Sequence, residues 1–122
     1  MWSIKKSVLL NALKSAENYY PDEFMCFLGG QKKENIIDEI VFLPTSTTID
    51  SATINETIIP FDESILGSLH SHPNGYATPS LADKKFFTKY NLNLIFGYPF
   101  TLTNINFFNA KSEKIKINLI ED

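Results

Sequence analysis

The chain has two histidines in 122 residues, and they stand two positions apart, His70 and His72, with Ser71 between them. In an extended segment, side chains at i and i+2 leave the same face of the backbone, roughly 7 Å apart. Two imidazoles so placed can converge on one cation with bonds of about 2.0–2.1 Å. Asp83 is the candidate third ligand, three residues into the helix that follows, where a turn can fold it back over the histidines. Three protein ligands leave one corner of a tetrahedral metal open, which is the arrangement of a catalytic zinc. A structural zinc fills all four corners, largely with cysteines, and this chain has a single cysteine, Cys26. Zinc held with an open corner lowers the pKa of water and polarises a carbonyl, the two effects that amide hydrolysis needs.

Plainer readings of the same residues stand beside this one. Two histidines fall at i, i+2 by chance in about two sequences in a hundred, so the pair alone is only suggestive. Ser80-Leu81-Ala82-Asp83 also reads as a helix N-cap followed by an acidic residue at the third helical position. Ser80 can do both jobs, since a capping hydroxyl at a metal site is held in a fixed orientation.

The elements that must position these residues follow from periodicity. Ile4, Val8, Leu9, Ala12, Leu13 and Ala16 fall at helical spacing and predict an amphipathic helix over roughly residues 3–18. Phe24 to Leu28 is a short apolar run closed by Gly29-Gly30, consistent with a buried strand. Ile36 to Leu43 predicts a second strand, paired with the first as a hairpin. Pro44 to Asp50 is polar, and Ala52 to Ile59 reads as a further extended segment ended by Pro60. Ile65 to Leu69 leads into the strand carrying His70 and Ser71, then a loop with Pro73, Gly75 and Pro79. A second helix is expected from Ser80 to about Tyr90, with Ala82, Phe86, Phe87 and Tyr90 on one face. Leu92 to Phe96 and Ile105 to Phe108 are strand candidates, and Ile115, Ile117 and Leu119 alternate with polar residues as in one half-buried strand. The expected fold class is α/β: a mixed sheet packed against helices, in one domain over residues 1–122.

Composition narrows the function classes. Hydrophobic residues make up 43% and charged residues 20% of the chain, the balance of a globular domain with a packed core. A net charge of −3, with eleven Lys and Arg scattered in short pairs, argues against a nucleic-acid partner. One cysteine permits no internal disulfide, which fits a reducing compartment. The apolar run Val8-Leu9-Leu10 is too short for a signal-peptide core, and nothing approaches transmembrane length. The expectation is a soluble, cytoplasmic protein with no membrane partner.

Taken together, His70-Ser71-His72-Pro73, six residues, then Ser80-Leu81-Ala82-Asp83 resembles the signature of the JAMM/MPN metalloprotease family, His-x-His-Pro-x6-Ser-x-x-Asp. The order of elements resembles that family over nearly the whole chain, and implies its cytidine-deaminase-like α/β sandwich. The resemblance implies zinc as cofactor, with His70, His72 and Asp83 as metal ligands and Ser80 as a stabiliser of the oxyanion. It also implies Glu23, in Pro21-Asp22-Glu23-Phe24-Met25-Cys26, as general acid/base. Charge alone does not choose Glu23 from the other glutamates; its place at the entry to an apolar strand, where a carboxylate can face a cleft, favours it. Cys26 stands where the family often has glycine. The chain leaves no room for the two insertions of ubiquitin-chain-specific members, and so resembles the minimal archaeal and bacterial type. The implied substrate is the bond after the Gly-Gly tail of a ubiquitin-like or sulfur-carrier protein. The polar segment Thr45 to Thr53 is either a substrate-side loop or a plain surface loop.

Three rivals follow. An inactive MPN-type scaffold would typically lack one or more ligands, and the full set is present. A nucleobase deaminase needs His-x-Glu and Pro-Cys-x-x-Cys, and neither occurs. A cysteine peptidase built on Cys26 conflicts with the apolar run that holds it.

Overall fold

The structure, a computed structural model, describes residues 1–42, 46–47, 52–53 and 64–122, the two short pairs by their backbone alone. In chain order the elements are β1 (Ser3–Lys5), α1 (Lys6–Tyr19), β2 (Met25–Gln31), β3 (Ile36–Val41), β4 (Ser46–Thr47), β5 (Ala52–Thr53), β6 (Ile65–His72), α2 (Leu81–Phe87), β7 (Leu92–Gly97), β8 (Ile105–Phe108), β9 (Lys114–Ile115) and β10 (Asn118–Ile120). β4 and β5 pair with each other, and the other eight form one mixed sheet in the order β10-β1-β3-β2-β6-β7-β8-β9. The rest of the polar segment and of the extended stretch expected up to Ile59 lies outside the described residues, as does Leu43.

The sheet is curled, and the spacing of its last strands shows how far. β9 and β10 stand at opposite ends of the strand order, yet only Lys116 and Ile117 separate them. Three Cα–Cα steps span at most about 11 Å, whereas eight strands laid flat would be about 34 Å across. The two edges are therefore drawn towards each other around α1. That helix buries Val8, Leu9, Ala12, Leu13 and Ala16, and these share one core with Leu28, Ile37, Leu69, Leu94 and Phe96 of the sheet and with the flanking Ile115 and Ile117. The first turn of α1 has no cap of its own. Asp122 supplies one from the other end of the chain, accepting from the Ser7 amide at 3.0 Å and the Ser7 hydroxyl at 2.5 Å.

The opposite face of the sheet carries α2. A smaller core of Ala77, Phe87, Ile95 and Phe108 holds it there. Along β7, Leu94 and Phe96 enter the α1 core while Ile95 enters the α2 core, the alternation of a strand covered on both faces. A buried polar link fixes the end of α2. Ser68 of β6 donates to Asn93 Oδ1 at 2.6 Å, and Asn93 Nδ2 donates to the carbonyls of Phe87 and Tyr90 at 3.4 and 2.9 Å.

The mixed sheet, the β2–β3 hairpin and both helices are as expected; four local readings are corrected. Residues 3–5 form a strand between β10 and β3 rather than the first turn of a helix, because Ile4 fits the helical spacing but fills the sheet's core. β2 runs through Gly29 and Gly30 instead of stopping there. A Cβ on Gly30 would lie 2.0 Å from the Ile36 carbonyl oxygen, so glycine permits close strand approach, and the turn falls at residues 32–35. α2 ends at Phe87, not near Tyr90, where Asn93 takes the terminal carbonyls. The alternating stretch after Lys114 is two strands on opposite edges of the sheet, and Leu119 is 40% exposed.

Candidate metal centre

The site forms where β6 ends, on the face of the sheet that carries α2. Met25 faces His70 across the antiparallel β2–β6 pair. Continuing that register two residues brings Glu23 opposite His72 and sets both side chains on the histidine face. An amide bond from Ser71 to the Phe24 carbonyl at 2.9 Å holds the two strands in that register. Glu23, His70 and His72 thus present a carboxylate oxygen and two ring nitrogens all within 4.8 Å of one another. Glu23 is 8% exposed and His70 4%, so this cluster is largely withdrawn from solvent.

Asp83 closes the site from α2. Its Oδ1 lies 3.2 Å from His70 Nε2 and its Oδ2 lies 3.1 Å from His72 Nε2, while the two Nε2 atoms are 3.0 Å apart. The edges of a tetrahedron with bonds of about 2.0–2.1 Å are about 3.3 Å long. The three donor groups therefore have close to the spacing a zinc ion requires. Two aromatic nitrogens and a carboxylate set this near one another need a positive charge between them, which a metal or a proton supplies.

Ring orientation agrees with a ligand role. The Nδ1 of His72 lies 2.8 Å from the Tyr76 carbonyl oxygen. A carbonyl only accepts, so Nδ1 carries the proton and donates, which in the neutral ring leaves Nε2 with a lone pair turned into the site. The loop presenting that carbonyl is pinned at several points. Gly75 takes φ +93°, a left-handed conformation suited to glycine. Its amide donates to His72 O at 3.2 Å, and Asn106 Nδ2 donates to Ala77 O at 2.9 Å. His70 Nδ1 is buried and has no hydrogen-bond partner among the described residues.

Ser80 and Asp83 form a capping box. The Asp83 amide donates to Ser80 Oγ at 3.1 Å and the Ser80 amide donates to Asp83 Oδ2 at 2.8 Å. The Ser80 hydroxyl accepts in this arrangement, and the cap does not use its own O–H. Burial alone would raise the Asp83 carboxyl, but hydrogen bonds from His70 and His72 outweigh it and hold the group well below the usual carboxylate range. For His72, burial pulls the imidazole down, yet the hydrogen bonds to Asp83 and Tyr76 and the charges of Asp83 and Glu23 lift it above 6.5. A proton on His72 here occupies the place of a cation. Cys26 points away, into the α1 core, and burial pushes its thiol up to about 12, which removes it as a nucleophile.

All five residues singled out from the sequence meet at this point: His70, His72 and Asp83 as a triangle of donors, Ser80 beside Asp83, and Glu23 across from His72. Sequence reasoning did not reach the Tyr76 carbonyl, because any residue supplies a carbonyl and only the loop's path aims it. It also passed over Ser71, whose hydroxyl accepts from the Phe24 amide at 2.8 Å.

Comparison with known proteins gives the family. A protein of Haloferax volcanii described as a probable metalloprotease is 27% identical over 119 residues, covering 90% of this chain and 74% of that one. A solved structure described as JAMM, a metalloprotease-like zinc site in the proteasome and signalosome, superposes with a TM-score of 0.79 at 27% identity, over 99% of both chains. A JAB1/MPN domain protein from Archaeoglobus fulgidus gives 0.78 at 26% identity, over 99% of this chain and 98% of that one. A Desulfitobacterium hafniense protein shares the fold, with a TM-score of 0.69 at 19% identity, over 100% of this chain and 94% of that one. With residues 5–111 matching the family described as prokaryotic homologs of the JAB domain, this chain belongs to that family, Prok-JAB.

Proposed function

We propose that the protein is a zinc-dependent peptidase or isopeptidase that hydrolyses the bond after the Gly-Gly tail of a ubiquitin-like or sulfur-carrier protein. The observation that carries the reading is the convergence of His70, His72 and Asp83, with donor atoms 3.0–3.2 Å apart, beside the carboxylate of Glu23. His70, His72 and Asp83 are the residues that would hold zinc. When bound, zinc supplies a Lewis acid that polarises the substrate carbonyl and makes water a stronger acid. Glu23 takes a proton from the attacking water and later delivers it to the leaving amine nitrogen as the carbon–nitrogen bond breaks. Ser80, held by the capping box, donates its O–H to the carbonyl oxygen as negative charge develops there. The Tyr76 carbonyl keeps His72 in the tautomer with a bare Nε2. A thin, extended tail suits a site set at a strand end, and the family membership supports this substrate class.

The scaffold alternative loses ground to the completeness of the set, since nothing needed for hydrolysis is missing from the five positions. The test is to purify the protein, measure its metal content, and incubate it with Gly-Gly-tailed fusion proteins with and without a chelator, reading products by mass. About one zinc per chain, chelator-sensitive cleavage after the second glycine, and loss of cleavage in Glu23→Gln with zinc retained are the expected results. No zinc and no cleavage would leave a scaffold.

A further inference from the structure

We propose that Ser71, the residue between the two histidines, is the positioning residue that sets Glu23 against the metal site. The inference rests on the zinc-peptidase reading of that site. Ser71 is fully buried, and on an extended strand its side chain leaves the face opposite His70 and His72. It reaches across to Phe24, the residue before β2, with its amide and its hydroxyl. Its amide donates to the Phe24 carbonyl at 2.9 Å, as an antiparallel ladder requires. The return bond of a regular ladder would run from the Phe24 amide to the Ser71 carbonyl. Here the Phe24 amide donates instead to Ser71 Oγ, at 2.8 Å.

That exchange matters because the Phe24 N–H lies in the same rigid peptide plane as the Cα of Glu23. Turning the plane towards a hydroxyl, and away from the neighbouring backbone, sets the direction in which the Glu23 side chain leaves the chain. Glu23 stands two residues before β2 begins, joined by its peptide to Phe24, whose amide and carbonyl both bond Ser71. The Ser71 hydroxyl takes over where the ladder stops, and it does so without occupying any of the space in which ligands and substrate meet. One strand segment, residues 70–72, thus supplies two ligands from one face and the seat of the general base from the other.

The test uses cobalt(II) in place of zinc, because its visible absorption reports the surroundings of the ion independently of turnover. Glu23→Gln first marks how the band moves when the carboxylate is altered. Ser71→Ala is expected to bind one cobalt per chain, to move the band towards its position in Glu23→Gln, and to lower kcat about 10–100-fold with KM within about threefold. Ser71→Thr restores the wild-type band and rate, whereas Ser71→Val, of the same shape without the hydroxyl, does not; this pair decides the matter should the alanine variant not fold. Val8→Ala, which loosens the core on the other face of the sheet, controls for simple destabilisation and keeps the wild-type band. A wild-type band and wild-type kcat in Ser71→Ala or Ser71→Val overturn the inference and leave the peptidase reading standing. Identical bands in wild type and Glu23→Gln also overturn it, since Glu23 would then not face the ion. Failure of the wild-type protein to bind cobalt or zinc overturns the peptidase reading, and the inference with it.

Discussion

Asp83→Asn separates the capping role that the structure shows from the metal-ligand role proposed for the same side chain. As a cap, Asp83 accepts the Ser80 amide at 2.8 Å, and asparagine keeps an oxygen able to accept the same bond. What the cap loses is a negative charge at a helix N-terminus, worth about 0.3–1 kcal/mol. At a pH high enough to leave His72 uncharged, so that its pairing with Asp83 no longer counts, the metal-free variant should therefore melt only about 4 °C below the wild type. As a ligand, Asp83 is the one anion in a triangle with His70 and His72, at 3.2 and 3.1 Å. Four-ligand zinc sites bind with about 10–16 kcal/mol, so one ligand in four accounts for roughly 3 kcal/mol. The expected loss is a hundredfold or so in zinc affinity. Competition against a zinc-chelating dye measures the affinity, and thermal denaturation in excess chelator measures the cap. An affinity within about threefold of wild type, alongside the small loss of stability, would show that Asp83 only caps α2, and the three-ligand site would fall.

Ser80→Ala makes the converse cut: it removes a capping hydroxyl worth about 1 kcal/mol and, as an oxyanion donor, should lower kcat about 10²–10³-fold with zinc affinity little changed. Wild-type turnover in that variant would confine Ser80 to its cap. In the metal-free protein His72 is held above its ordinary 6.5, so its contribution to stability is full below 6.5 and is lost as pH rises through the higher folded value. Asp83 is held below its ordinary 3.8, so its contribution is present above 3.8 and is lost as pH falls. For these two groups, metal-free stability should peak between 3.8 and 6.5, while the rise in Tm on adding zinc should be larger at about pH 8 than at about pH 5.5, because proton and metal compete for His72. Thermal scans over pH with and without zinc check both, and a zinc-induced rise that shrinks towards high pH would refute them. Gly30→Ala places a Cβ 2.0 Å from a backbone oxygen of β3, and should destabilise the fold by more than about 3 kcal/mol, read as a loss of cooperative unfolding or of soluble yield.

Much of the site was legible in the chain. The alternation of a strand puts His70 and His72 on one face whatever lies around them, and a Ser-x-x-Asp cap places Asp83 in the first turn of the next helix by local hydrogen bonding alone. These are short-range consequences of backbone geometry, so composition and spacing suffice to read them. Glu23 was reached through a resemblance, because 46 residues separate it from His70 and nothing local says which glutamate will cross that gap. Only the β2–β6 register decides it. The same limit explains the stretch after Lys114. A period of two reports that side chains alternate, but carries no information about which strand pairs with which. The curl of the sheet then sends Lys114–Ile115 to β8 and Asn118–Ile120 to β1. The tautomer of His72 and the seat of Glu23 likewise depend on a carbonyl and a hydroxyl aimed by tertiary packing. Local pattern determined the donors themselves; long-range pairing of strands decided which of them meet and how each is turned.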